Sequence, residues 1–356
     1  MSGSEADSVR AGGWVNAHTH LYSALVPLGM PAPSPSPRGL SEVLRAIWWR
    51  LDRALDPDCL RAAARLYVAE SLLSGTTALV DHHESPEFIE GSLDLLADAC
   101  EDLGMRALLC YGATERNGGR TEARRGLEEC RRFHASNRRT LVRGAVGLHA
   151  SFTVSDETIR EAGALARELG TVVHVHVAEG VEDVDHARER GHADPLARLL
   201  ACEGLPEGSI LAHAVHLDES SLRRAAERGL WIVQNPRSNR ANEVGYPRAL
   251  WAGGRVALGT DGFPSDPLEE GEALLRESAL HGEGGPAVAE RLQAGTALLA
   301  GLPAPLPAAR VERGRLLQGE REVVRDGGLA ACDLDQVRAE ASEQAHRLWR
   351  RMEAIA

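Results

Sequence analysis

The chain has 356 residues, 43% of them hydrophobic, enough apolar material for one large domain or two modest ones. Its net charge of −12 argues against nucleic acid and against anionic membrane surfaces, since both need a basic face. No apolar run reaches the length of a membrane span, Met1 to Gly13 lacks a signal-peptide core, and the six cysteines are scattered without a Cys-x-x-Cys pair, so a cytoplasmic enzyme with reduced thiols is expected.

Residues 1–12 are small and polar and are expected to form a short, frayed segment. A first strand, roughly Gly13 to Asn16, leads into His18-Thr19-His20. Residues i and i+2 of a strand face the same way, so both imidazoles can address one point. The Pro- and Ser-rich stretch Pro27 to Gly39 is long for a connection inside a compact domain and is a lid candidate. Ser41 is an N-cap candidate for a helix carrying Trp48 and Trp49, and Asp56-Pro57 opens a helix that stops at Gly75.

From there, short apolar runs alternate with helical patterns. The runs are Thr76 to Asp81, Met105 to Tyr111, Leu141 to Leu148, Thr171 to Val177, Ser209 to Ala214, Leu230 to Val233 and Val256 to Gly259. One long helix is expected between Val177 and Cys202, a short one around Pro247 to Trp251, and two more over Leu268 to His281 and Pro286 to Leu299. With the first strand this makes eight strand–helix units. Runs apolar throughout, rather than alternating, suit parallel strands buried on both faces. The pattern predicts a (β/α)8 TIM barrel over 13–305, with strand remnants near Val311 to Val324 and an amphipathic helix over Asp335 to Met352 in a C-terminal part, 306–356. An open doubly wound sheet is disfavoured because no G-x-G-x-x-G follows the first strand.

In such a barrel, reactive groups gather at the C-terminal ends of the strands. Here those ends carry His18 and His20, then His149, then His174 and His176 with Glu179 close behind, then His213 and His216, and finally Thr260-Asp261-Gly262. Any one of these could be a core histidine or a turn aspartate. All of them falling at the same strand position points to a metal site, because neutral imidazole and carboxylate suit zinc or iron. Of the second histidine pair, His176 lies nearer the strand end and is preferred as a ligand. His174 points the same way but deeper and reads as a supporting or core residue. Asp81-His82-His83 is ambiguous, and His134, His186, His192, His281 and His346 fall on helices or loops.

The runs Val15-Asn16-Ala17-His18-Thr19-His20, His176 to Gly180, Ala212-His213 to Leu217, Asn235-Pro236-Arg237-Ser238-Asn239 and Gly259-Thr260-Asp261-Gly262 resemble the metal-dependent amidohydrolase superfamily, in particular its aminohydrolase branch of deaminases and chlorohydrolases. Within that branch, Trp48-Trp49-Arg50-Leu51-Asp52-Arg53 and Asp81-His82-His83 resemble the SsnA-type aminohydrolases. The resemblance implies one divalent ion per chain, Zn2+ or else Fe2+, on His18, His20, His176 and Asp261. It implies that His213 and Asp261 take the proton of the attacking water and that Glu179 passes a proton to a ring nitrogen. It marks His149, His216, Gln234 and Asn239 as substrate-binding candidates. The implied reaction is deamination of an amino-substituted N-heterocycle such as a purine, pterin, pyrimidine or triazine, with release of ammonia. The partner is then that small molecule, with neither nucleic acid nor membrane involved. Relatives are often homodimers, and the acidic surface argues neither for nor against one.

All 40 basic residues are arginine, so the carboxylated lysine that bridges two metals in binuclear relatives has no counterpart, and a single ion is expected. Two departures from the family pattern stand out. Gln234 occupies a place where many relatives have histidine, and about a dozen residues precede the first strand, so the usual flanking β-sandwich is expected to be reduced or absent. Hydrolysis of a C–Cl or cyclic amide bond by the same residues is the sibling alternative. A barrel kept only for binding or assembly is the alternative from another class.

Overall fold

The structure is a computed structural model describing residues 13–312 and 315–355; the expected N-terminal segment lies outside the described residues. Nine strands form the main sheet: β1 (Trp14–Thr19), β2 (Thr76–His83), β3 (Arg106–Ala113), β4 (Val142–Gly144), β5 (Val146–Ala150), β6 (Val173–Val177), β7 (Ile210–His213), β8 (Trp231–Gln234) and β9 (Val256–Leu258). Their order is β1-β2-β3-β5-β6-β7-β8-β9, and every pairing is parallel. The ring closes where Thr19 bridges Asp261, and where the Thr260 and Asp261 amides donate to the His18 carbonyl at 2.9 and 3.0 Å. This is the (β/α)8 barrel.

The fourth stave departs from the expected single run. It is split into β4 and β5 around Ala145, both pairing with β3. Gly144 and Gly147 flank the break, and without side chains they give the strand little to hold it in one register.

The connecting helices begin where capping chemistry places them. Asp56 accepts from the amides of Asp58 and Cys59 to start Pro57–Leu73, and Ser155 accepts from Thr158 to start Asp156–Leu169. Two helical expectations are corrected. The single helix after β6 is two, Val181–Glu189 and Pro195–Ala201, because Gly191 turns the chain (φ 83°) and Asp194-Pro195 caps a new start. The helix after β8 comes earlier than expected, at Pro236–Ala241, where Pro236 presets the first turn; only a 3-10 turn, Leu250–Ala252, lies near the expected place.

Beyond the barrel, the expected one or two strands are a four-stranded antiparallel meander: β10 (Ala309–Glu312), β11 (Arg315–Gln318), β12 (Arg321–Arg325) and β13 (Gly328–Leu329). It lies against the loops entering β2 and β3. Gln318 donates to the Thr77 carbonyl at 2.8 Å, and Arg321 to that of Glu101 at 2.7 Å. The C-terminal helix Leu334–Glu353 packs on Pro57–Leu73. It also reaches the long connection between β1 and β2: Trp349 donates to the Leu28 carbonyl (3.1 Å), and Arg50 donates to that of Met352 (2.9 Å). Among the described residues, no helix is long and apolar enough to cross a membrane.

Candidate active site

The strand ends at the mouth present imidazoles in a common orientation. His20 Nδ1 lies 2.5 Å from the His82 carbonyl, and His176 Nδ1 lies 2.5 Å from the His149 carbonyl. His213 Nδ1 lies 2.9 Å from Asn239 Oδ1, and His18 Nδ1 lies 3.0 Å from His174 Nε2. Backbone carbonyl oxygens only accept, so His20 and His176 carry hydrogen on Nδ1 and, when neutral, a lone pair on Nε2. Those Nε2 atoms converge. His20 Nε2 is 3.4 Å from His176 Nε2 and 3.0 Å from Asp261 Oδ1, and His18 Nε2 is 3.3 Å from the same oxygen. Donor atoms of His18, His176, His213 and Asp261 all lie within 4.8 Å of one another.

Lone pairs aimed at lone pairs repel unless a cation lies between them, and the local electrostatics make the same demand. Burial pushes His18 down to about 3 and holds His176 well below the ordinary imidazole range. Burial opposes protonation of His20 too. There the hydrogen bond to Asp261 and the charges of Glu84, Asp261 and Asp81 win, and the ring is raised to about 9. Asp261 is held well below the usual carboxylate range, against its burial, by His18 and His20. His213 Nε2 is buried with no partner. A nest of buried imidazoles and one carboxylate that draws in positive charge, with an orphaned nitrogen at its edge, fits a divalent ion.

Across this cluster stands Glu179. Its Oε2 is 3.8 Å from His213 Nε2, and its Oε1 accepts from Asn242 Nδ2 at 3.1 Å. Burial raises its pKa, partly offset by His213. Ser238 donates to Asp261 Oδ2. The backbone here is unusual: His213, Asp261 and Ala178 have φ of 75°, 54° and 49°. Non-glycine residues rarely adopt this region, and such strain collects where side chains must be aimed for function.

The cluster opens into a cavity at the barrel mouth. His20, His176, Glu179, Asn242 and Asp261 line one side; Trp48, Trp49, Asp52 and His149 are among the other lining residues. The Pro-rich stretch to Gly39 does not line it, so the cover lies later than expected. It is the helical segment after that stretch, Leu40–Val43, then a π-helical turn at Leu44–Trp48, then Trp49–Ala54. The segment touches both active-site loops. A side chain at Gly262 would meet Trp48 at 2.6 Å, and one at Gly180 would meet Leu40 at 2.7 Å. π-Helical turns occur often at functional sites.

Of the substrate-binding candidates, His149 lines the cavity. Asn239 instead holds His213 from behind. Gln234 is buried with its Oε1 accepting from Arg291 at 2.9 Å, and His216 lines a separate surface cleft with Arg188 and Asp194. Neither reaches the cavity. The ambiguous pair resolves in opposite directions. His82 turns inward, its Nδ1 2.6 Å from Glu84, whereas His83 turns back to Ser85 at 2.8 Å. Glu84 was missed from sequence; it sits beside His20, and the neighbouring histidines keep its pKa low despite burial.

This geometry agrees with what the chain is similar to. The amidohydrolase family model matches residues 12–297. A 5'-deoxyadenosine deaminase of Methanopyrus kandleri is 31% identical over 267 residues, covering 72% of this chain; the chain spans only 59% of that protein's length. A 5-methylthioadenosine/S-adenosylhomocysteine deaminase of Aquifex aeolicus is 31% identical over 316 residues, covering 86% of this chain and 70% of its own. Among solved structures, an adenosine deaminase of Xanthomonas campestris with bound zinc superposes with a TM-score of 0.79 at 23% identity, covering 95% of this chain and 85% of the other. An atrazine chlorohydrolase of Arthrobacter aurescens complexed with zinc gives 0.75 at 20%, covering 94% and 88%. The chain belongs to the amidohydrolase family.

Proposed function

We propose that the chain is a mononuclear metal-dependent aminohydrolase that removes the amino group of a small N-heterocycle and releases ammonia. The observation that carries this is the convergence of His18, His20 and His176 Nε2 on Asp261, with Glu179 and His213 facing the same point. His18, His20, His176 and Asp261 would hold one divalent ion, zinc by analogy with the fold neighbours, and the ion supplies Lewis-acid activation of water. His213, fixed by Asn239, offers a lone pair that takes a proton as the C–N carbon is attacked. Glu179, kept in its acid form to higher pH by burial, gives a proton to the ring nitrogen and makes the adjacent carbon electrophilic. Asn242 orients the Glu179 carboxyl. Similarity to two deaminases at 31% identity supports amine removal over C–Cl hydrolysis, which more distant structural neighbours at 18% and 20% identity suggest.

The test is ammonia release by zinc-loaded protein across aminated purines, pterins, pyrimidines and triazines, with metal content measured in parallel. Glu179→Gln is expected to keep about one ion per chain and to lose turnover by about 1,000-fold. A fully active Glu179→Gln, or a protein that holds no zinc or iron after supplementation, would sink the proposal.

A further inference from the structure

Building on the deaminase reading, we propose that the cavity selects by charge, admitting neutral or cationic aminated heterocycles and rejecting those that carry a phosphate or carboxylate. Its wall holds six carboxylates, those of Asp52, Glu84, Glu179, Glu182, Asp183 and Asp261, and among the described residues no arginine lines it. With no lysine anywhere in the chain, an anionic group entering the cavity meets no side-chain ammonium. The guanidinium behind the wall, that of Arg116, is already engaged. It donates to Asp52 Oδ2 at 2.7 Å, lies 5.0 Å over the Trp49 ring, and its side chain is only 6% exposed. With Glu179 in its acid form, a divalent ion at the cluster and this one guanidinium still leave the other five carboxylates in excess.

The polar atoms of the wall say the same thing in hydrogen bonds. Asp52 Oδ1 is buried without a hydrogen-bond partner while Arg116 holds the other oxygen, so this residue brings acceptors and no donor to the wall. The Thr153 hydroxyl gives its proton to the Ala150 carbonyl, so it receives from His149 Nδ1 at 3.0 Å and leaves His149 Nε2 as an acceptor. Trp48 and Trp49 offer flat apolar faces suited to a planar ring. Such a cavity rewards a flat, donor-rich, uncharged molecule. A phosphate would be stripped of water and would meet no guanidinium or ammonium in return.

The experiment uses zinc-loaded full-length protein and matched pairs: adenosine with adenosine 5'-monophosphate, guanosine with guanosine 5'-monophosphate, and pterin with pterin-6-carboxylate. Binding is read by quenching of tryptophan fluorescence and turnover by ammonia release. In pairs that bind, the uncharged member is expected to bind about 100-fold more tightly at low salt, with the gap narrowing at high salt. Glu182→Arg, at the partly exposed rim, is expected to narrow it about tenfold. Equal handling of both members overturns charge selection while leaving deamination intact. Binding of uncharged members without ammonia release overturns deamination while leaving charge selection intact. If no uncharged member binds, charge selection as stated is wrong.

Discussion

The two ends of the barrel are made from the same strands and follow opposite rules. Low on the strands, Val15, Val80, Leu108, Ile210 and Val233 pack with Leu298 and Leu299 of the helix Ala294–Ala300 in one apolar cluster. High on the same strands, His18, His82, His174, His176 and His213 are just as buried, yet each ring nitrogen has to be accounted for. Packing in the lower half needs volume and apolarity, and tolerates exchange of similar shapes. The upper half needs particular atoms, because a buried polar group without its partner is costly. On the proposed function, stability would reside mainly at one end and chemistry at the other.

The sharpest way to break this division is to alter each end in turn. Asp261→Asn should remove the carboxylate shared by His18 and His20, empty the protein of metal and cut kcat/KM by at least about 1,000-fold. Ile210→Ala should do the reverse, lowering unfolding free energy by about 2–5 kcal/mol while zinc content and kcat/KM stay near those of the parent. If Ile210→Ala loses metal before it loses stability, the two ends are not independent.

A smaller effect sharpens the comparison within the mouth itself. Asn239 does not line the candidate cavity, yet its Oδ1 lies 2.9 Å from His213 Nδ1. Asn239→Ala should reduce turnover by about 10- to 100-fold with metal retained, and Asn239→Asp, which keeps an acceptor, should recover part of it. A parallel fall in both variants, with an unchanged pH–rate profile, would assign Asn239 to packing alone.

How much of this was legible beforehand follows the same division. The barrel could be read because its eight staves are apolar runs separated by capped helices, a periodic signal that survives loss of detail. The candidate site could be read where residues sit on strands, since a strand fixes direction two residues at a time. It failed where the chain turns. His216 follows His213 by three residues, but positive φ at His213 and Ala214 swings it away from the mouth. Glu84 lies just past β2 and bends back onto His82, which no local pattern announces. The cover was assigned to Pro27–Gly39, where proline and serine mark a loop. The residues that reach the cavity come after it, on helical turns whose target is set by contacts with Gly180 and Gly262. The small C-terminal sheet was underestimated because its strands are short and half exposed, with little periodicity to detect.

The mildest perturbation asks whether a group at the mouth is kept at a cost to stability. Asp183 accepts from the Ala178 amide at 2.7 Å and from Ser151 at 2.5 Å, and so holds the strained turn that presents Glu179. Burial pushes its carboxyl up from 3.8 to about 6, with these hydrogen bonds opposing. A carboxyl raised in the folded state contributes its full stabilisation below pH 3.8 and loses it as pH rises to about 6, because over that window the folded protein keeps a proton that the unfolded chain gives up. Asp183→Asn cannot titrate. Its Tm relative to the parent should therefore climb across this window and level off above it, while kcat falls because an amide cannot accept from Ala178 and Ser151 together. A flat Tm difference from pH 4 to 6 would mean that the folded structure leaves the carboxyl unperturbed. A rising difference with unimpaired kcat would mean that the turn before Glu179 holds without it. Only the combination of gained stability and lost rate places Asp183 with the mouth, opposite in sign to Ile210 below.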